Sequence, residues 1–326
     1  MIINKSKTGI WSKIGARATF GMAALELGNE FEDLVILSAD TSTSAGLERF
    51  KRTFPDKYIE CGIAEQNMMG IAAGMASEGH LVITTTFAPF QTMRCCEQIK
   101  VNLGYMEQNV KMVGLASGVV QGSLGYTHNS IEDISIMRSI PNIVVLSPAD
   151  CTETAKAVYA ALKYNGPVYI RLTGGSNNPA VYSDNYDFEI GKSILLHEGE
   201  DIVLFSTGTM VHKSLTVATE LKKQGYSVAV IDMHTIKPID GDRIKEVCSY
   251  AKLVVTVEEH TILGGLGSAV AEIKAAIPNA PPHLILGLPD RYGKSNDYEE
   301  LLKIAGLTVT GIINSIQEYI SHEQIL

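Results

Sequence analysis

No apolar run in this 326-residue sequence approaches the ~18 residues of a membrane-spanning helix, and the opening "MIINKSKTGIWSK" has no apolar core of the kind a secretion signal carries. Cysteine is scarce and scattered: five residues, at 61, 95, 96, 151 and 248, without CxxC spacing. That argues against a disulfide framework and against a structural zinc site. The eight histidines form no HxH or HExxH group, so no transition-metal site built by this chain is expected. The 27 basic residues are dispersed among 36 acidic ones, and the net charge of −9 offers no clustered patch for nucleic acid. Short repeats and low-complexity segments are also missing. These absences predict a soluble, cytoplasmic protein with reduced thiols and with neither membrane nor nucleic acid as a partner.

What is present is the material of two cores. With 45% hydrophobic and 19% charged residues, the chain suits two domains of roughly 150 residues each. Runs such as "LVILSAD" (34–40), "LVITTTF" (81–87), "NVKMVGLA" (109–116), "NIVVLSPAD" (142–150) and "PVYIRL" (167–172) carry little polar alternation, as strands buried on both faces of a parallel sheet do. Amphipathic stretches near 13–27, 63–78, 89–103 and 150–163 are the predicted covering helices. The segment 173–192 is rich in Gly, Asn, Ser, Asp and Pro and reads as a boundary. Beyond it the alternation resumes with predicted strands at 201–208, 227–238, 253–259 and 283–290. The expectation is an α/β protein of two doubly wound domains, 1–180 followed by a smaller 190–326.

One carboxylate stands out. In "YIECGIAEQNMMGIAAGMASEG" (58–79), Glu65 falls in the first turn of a predicted helix that is otherwise small and apolar. Free backbone N–H groups favour an acid there by roughly 0.3–1 kcal/mol, so helix stabilisation alone accounts for its position. Yet Gly70 and Gly74 leave one helix face nearly bare, and no charge follows until Glu78, which predicts an enclosed helix approached closely by another helix or a ligand.

"GIAEQNMMGIAAGMASEG" resembles the pyrimidine-binding segment of transketolase and of deoxyxylulose-phosphate synthase, enzymes dependent on thiamine diphosphate. The likeness continues through "TTTFAPFQTMRCCEQIK", "GYTHNSIEDISIMRSIPNIVVLSPAD", "IDMHTIKPID" and "TVEEHTILGGLGSAVAE", over about residues 10 to 320. It implies a pyrimidine-binding domain followed by a transketolase C-terminal domain. It assigns Glu65 a hydrogen bond to the aminopyrimidine ring nitrogen, which promotes loss of the thiazolium proton. Phe87 and Phe90 would border the aminopyrimidine, with Phe90 stacking on it. Asp40, at the end of a predicted strand, either contributes to the cofactor site or caps the following turn. His128 would contact a donor-sugar hydroxyl and assist proton transfer. Arg17 and Ser44 fall where the family grips a sugar phosphate.

The departures are as informative. The "GDG…N" segment that holds magnesium and the diphosphate is absent; "IDGDR" (239–243) lacks its final Gly and its Asn. The resemblance therefore implies the C-terminal half of a split transketolase, with magnesium and diphosphate ligands on an N-terminal-half partner carrying that motif, and most simply an α2β2 assembly. Gly174 and Ala116 stand where the family has a second phosphate-binding arginine and a histidine, and Leu124 replaces an aspartate that holds a donor hydroxyl. Arg171, three residues before Gly174, is one candidate substitute for the lost grip. "EEH" (258–260) and "GGLG" (264–267) do not form a dinucleotide fingerprint and read as structural. Two other readings stand beside a ketol transferase acting on a modified or nucleotide-linked acceptor. The β subunit of a 2-oxo acid dehydrogenase ordinarily lacks the "AEQN" and "GYTHN" pattern. A non-catalytic regulatory paralogue fits poorly with retention of Glu65, Phe90 and His128.

Overall fold

Continuous β-branched runs bury both faces of a strand, and such strands are stable only side by side with helices above and below. The computed structural model, which describes residues 3–325, arranges them in two sheets. The strands are β1 (Leu34–Ser38), β2 (Tyr58–Glu60), β3 (Leu81–Phe87), β4 (Val110–Ser117), β5 (Val144–Leu146), β6 (Val168–Thr173), β7 (Ile194–His197), β8 (Ile202–Ser206), β9 (Val228–Asp232), β10 (Thr235–Lys237), β11 (Leu253–Thr261) and β12 (His283–Leu288). The first sheet runs β10-β5-β6-β4-β3-β1-β2 and the second β12-β11-β8-β9-β7. Pairing is parallel throughout except at β10 with β5 and β7 with β9. Helices α1 (Lys5–Ile14), α2 (Ala16–Glu30), α3 (Glu48–Thr53), α4 (Glu65–Ser77), α5 (Ala88–Gln91), α6 (Cys96–Gln98), α7 (Asp133–Ser139) and α8 (Cys151–Lys163) belong to the first half. To the second half belong α9 (Met210–Lys222), α10 (Gly241–Cys248), α11 (Leu266–Lys274), α12 (Tyr298–Ile304) and α13 (Val309–Glu323).

Three departures from the sequence expectation have local causes. The helix expected at 89–103 is broken into α5, α6 and a wide turn over Ile99–Tyr105. Thr92 closes α5 in a distorted right-handed conformation at φ −108°, ψ −74°, and its hydroxyl and its backbone N–H both donate to the Ala88 carbonyl. The strand expected at 227–238 is two strands on different sheets. Met233 N still donates to Ser206 of the second sheet, but the His234 carbonyl already accepts from Ser147 N of the first. Finally, α1 and α13 lie outside the expected elements; Asn4 and Thr308 cap them through their side chains.

The two sheets meet through buried polar groups. Arg171 is 1% exposed; it donates to Asp133 at 2.8 Å, to Thr173, and to the backbone carbonyl of Glu259 at 2.8 Å. Nearby, Tyr182 and Tyr186 stack at 3.9 Å and donate to the buried carboxyls of Asp232 (2.7 Å) and Glu153 (2.8 Å). Burial pushes Asp232 up to about 7 and holds Glu153 well above the carboxylate range, the Asp232 charge adding to the effect on Glu153. A raised native value favours the protonated form, so this stabilisation is full below the unfolded value near 4 and is lost as pH rises through about 7. Thermal unfolding between pH 5 and 8 should show a falling Tm that Asp232→Asn flattens, by an amount on the order of a few kcal/mol at the alkaline end. An identical slope in the variant would remove Asp232 from that account.

Candidate functional site

Parallel pairing brings the C-terminal ends of β1, β3 and β4 to one edge, with β3 in register on β1 from Leu34↔Leu81 to Ser38↔Thr85. Functional groups in doubly wound sheets gather on this edge. Glu65 is the first residue of α4, 4% exposed, and receives no side-chain cap from Ala64. Its Oε1 accepts a hydrogen bond from Arg94 Nη1 at 2.7 Å. The guanidinium carbon of Arg94 lies 4.0 Å from the centre of the Phe90 ring. One planar nitrogen-bearing group thus sits against both a buried carboxylate and an aromatic face.

Phe90 is half-buried. Phe87 meets it edge-on at 6.4 Å, and the His128 ring meets it edge-on at 5.3 Å. His128 Nδ1 pairs with the Thr127 hydroxyl at 3.0 Å, leaving Nε2 without a partner among the described residues. The structure therefore brings Glu65, Phe87, Phe90 and His128 together.

Asp40 is exposed and adopts φ +53°, a left-handed conformation that Asp tolerates better than most residues. Its carboxylate has no hydrogen bond among the described residues; the Ser38 hydroxyl, accepting from Thr41 N, serves the turn instead. The reading of Asp40 as a turn cap is thus not met. Sequence reasoning passed over Glu60, whose carboxylate accepts from Asp40 N (2.7 Å), Gly62 N (3.1 Å) and the Tyr58 hydroxyl (2.7 Å) and so ties the ends of β1 and β2. Its place two residues before a glycine turn was the available signal.

Arg17, in the first turn of α2, is half-buried without an ion pair among the described residues, and burial alone lowers its pKa. A Cβ on Gly46 would lie 3.0 Å from the Ala18 Cα and 3.4 Å from the Arg17 carbonyl, so the turn containing Ser44 lies directly on this part of α2. Arg171 is a different matter. Fully buried and saturated as described above, it cannot reach a ligand, and its candidacy as a substitute phosphate grip fails. Gly174 has φ +82°, and a Cβ there would approach Thr209 Cγ2 to 2.9 Å, so an arginine would require a different loop. Ala116 is buried at φ +52°, and Leu124 is exposed.

Helix α4 is less enclosed than its composition suggests. Gly70 and Gly74 are exposed, with open space where a Cβ would stand, while Met68, Met69, Ala72 and Ala73 face the core. The "GGLG" loop is filled from within: Glu258 accepts from Leu266 N and Gly267 N at the start of α11. Glu259 accepts from Val119 N, the Thr209 hydroxyl and the Tyr298 hydroxyl, and His260 Nε2 accepts from Ser135 N. All three are buried structural ties. Among the described residues there is no group of His, Cys, Asp or Glu that could hold a metal ion, and no helix long and apolar enough to cross a membrane.

Comparison with known proteins addresses the family and the fold. Residues 12–178 match the transketolase pyrimidine binding domain and residues 191–312 the transketolase C-terminal domain. An apulose-4-phosphate transketolase subunit of Phocaeicola vulgatus is 35% identical over 94% of this chain and 98% of its own length. A 6-deoxy-6-sulfo-D-fructose transketolase subunit of Clostridium sp. (strain MSTE9) is 37% identical, covering 93% of both chains. A solved structure described as a split gene transketolase, inactive beta4 tetramer, superposes with a TM-score of 0.84 at 36% identity, over 94% of this chain and 98% of that one.

Proposed function

The chain belongs to the transketolase family, and on that premise we propose that it is the C-terminal subunit of a split, thiamine-diphosphate-dependent transferase that moves a two-carbon ketol unit between sugars. The observation that carries the proposal is the buried Glu65 carboxylate at the start of α4 beside the Phe90 face, with His128 on the edge of that ring. Arg94 already seats a flat nitrogen group against both, which supports reading the pair as a seat for an aminopyrimidine. Bound there, thiamine diphosphate would supply a carbon acid, the thiazolium C–H, whose carbanion is the nucleophile that ketol transfer requires. Glu65 would hold the proton at the pyrimidine nitrogen, Phe90 would fix the ring plane with Phe87 behind it, and Asp40 would border the cofactor from the turn after β1. His128, with a free Nε2, contacts a donor hydroxyl and passes its proton.

Magnesium and the diphosphate are held, in this reading, by an N-terminal-half partner bearing the "GDG…N" segment, in an α2β2 assembly working in the cytoplasm. The resemblance to a transketolase subunit and to a split gene transketolase chain, both of similar length, supports the need for a separate partner. We place the domain junction between 180 and 190, in the turn-rich segment that separates the two matched regions.

The acceptor is a modified, branched or nucleotide-linked sugar. Of the phosphate grip expected for the family, Arg17 and Ser44 remain, while the positions of Ala116 and Gly174 carry no polar side chain and Arg171 is locked between the sheets. Names of related subunits, with apulose 4-phosphate and 6-deoxy-6-sulfo-D-fructose as substrates, are in keeping with such sugars. Reconstitution with the partner, thiamine diphosphate and magnesium, assayed against ribose 5-phosphate, erythrose 4-phosphate and a modified-sugar panel, tests the proposal. Efficient turnover of the simple phosphates, at kcat/KM of about 10⁴ M⁻¹s⁻¹ or above, would refute the specialised acceptor. Arg17→Ala should raise KM for an anionic sugar about ten- to a hundredfold with kcat nearly unchanged, the loss of one charge-assisted contact of roughly 1.5–3 kcal/mol. A fall confined to kcat would take Arg17 out of substrate binding.

A further inference from the structure

The two groups assigned above to the aminopyrimidine are both occupied by the chain itself. Arg94 Nη1 is 2.7 Å from Glu65 Oε1, and its guanidinium lies over Phe90 with the carbon 4.0 Å from the ring centre. A guanidinium resembles an aminopyrimidine edge in the ways that matter here: it is planar, polarisable and rich in N–H donors. Resting on the reading of Glu65 and Phe90 as a pyrimidine seat, we infer that Arg94 is a positioning residue that fills this seat in the free chain and withdraws when the cofactor enters.

Withdrawal is sterically and electrostatically open. The Arg94 side chain is 42% exposed, in contrast to the buried Glu65, so only its tip is committed. It also lines a cavity of about 450 Å³ beside Phe90, together with Met93, Thr127, Asn129, Glu132 and Tyr292. Two acceptors there can receive a displaced guanidinium. The Asn129 carboxamide is buried with neither its Oδ1 nor its Nδ2 partnered, and Glu132 offers a second carboxylate, now holding the Tyr292 hydroxyl at 3.0 Å and Ile131 N. Exchange of Glu65 for Glu132 and Asn129 keeps a charged partner for Arg94 in both positions. Until it moves, Arg94 holds the Glu65 carboxylate in place and keeps a buried acid from being left unpaired.

The experiment uses the free chain and thiamine itself, because the diphosphate grip is assigned to the partner. Calorimetric titration should give weak binding for the wild type and binding at least tenfold tighter for Arg94→Met, which keeps the length and loses both charge and donors. Phe90→Ala in the Arg94→Met background should abolish the gain. A measurement on the unmodified chain stands beside it. In ¹⁵N spectra the Arg94 Nη1–H resonance, assigned by its loss in Arg94→Lys, should be protected from solvent exchange by its bond to Glu65 and should shift when thiamine is added. Binding by Arg94→Met no tighter than wild type, or an Arg94 resonance unmoved by saturating thiamine, overturns the inference. If the assembled pair takes up no thiamine diphosphate, the seat assignment fails instead; uptake by the pair with no gain for Arg94→Met removes Arg94 alone.

Discussion

Glu65→Gln is expected to leave the fold and the assembly intact while slowing hydrogen–deuterium exchange at the thiazolium carbon of the loaded pair by about 10² to 10³. The substitution is nearly isosteric, and the site tolerates the shape. Residue 65 is the first position of α4 and takes no part in the i→i−4 ladder through its side chain. What is lost is chemical. A carboxylate buried beside an aromatic face accepts a strong hydrogen bond from a protonated ring nitrogen, whereas an amide offers a weaker acceptor and cannot balance the charge. The Arg94 salt bridge gives an independent internal control, since Gln at 65 should also loosen Arg94 in the free chain. Exchange at the wild-type rate in an assembled, cofactor-loaded variant would exclude Glu65 as the activating group.

The parts of this site that were legible in the sequence are those fixed by local rules. Strand β3 and helix α4 follow directly from an apolar run and from a turn glycine with an acid behind it, so Phe87, Phe90 and Glu65 fall at the ends where α/β sheets gather function. The parts that were not legible depend on groups distant in the chain. Residues 227–238 read as one strand because period and composition do not change at Met233; the switch is made by partners, Ser206 on one sheet and Ser147 on the other. Arg171 looks like a ligand-binding arginine because sequence cannot show that Asp133 and the Glu259 carbonyl, 38 residues upstream and 88 downstream, converge on it. Arg94 carries no signal for the same reason: its two partners, 29 residues and four residues away, define it only in space. Helix α4 shows the opposite limit. Its glycines predict a close approach, but within one chain nothing approaches them.

Separated from its partner, the chain is expected to turn over no sugar and to bind thiamine diphosphate weakly, with activity appearing only on mixing. In the function proposed above the pyrimidine seat lies on this chain, whereas magnesium-bound diphosphate needs hard oxygen ligands, and among the described residues no acidic cluster supplies them. Helix α4 has a bare face. Ile63, Gln66, Asn67, Gly70 and Gly74 lie exposed along one side, uncharged and with room for a second helix at short range, one turn from Glu65. We propose that self-association through this face completes the surroundings of the catalytic carboxylate and presents it to the partner. The related solved chain, described as an inactive beta4 tetramer, is in keeping with a subunit that associates without activity. Gly74→Glu should therefore shift the free chain towards monomer in sedimentation velocity and reduce activity of the mixture at least tenfold, because a carboxylate would be buried without a partner where the helices meet. The same variant is expected to unfold at nearly the wild-type temperature at high dilution, since open space surrounds that position within one chain. Tight, magnesium-dependent binding of thiamine diphosphate by the isolated wild-type chain would contradict the split site, and an unchanged association state in Gly74→Glu would move the self-association face elsewhere.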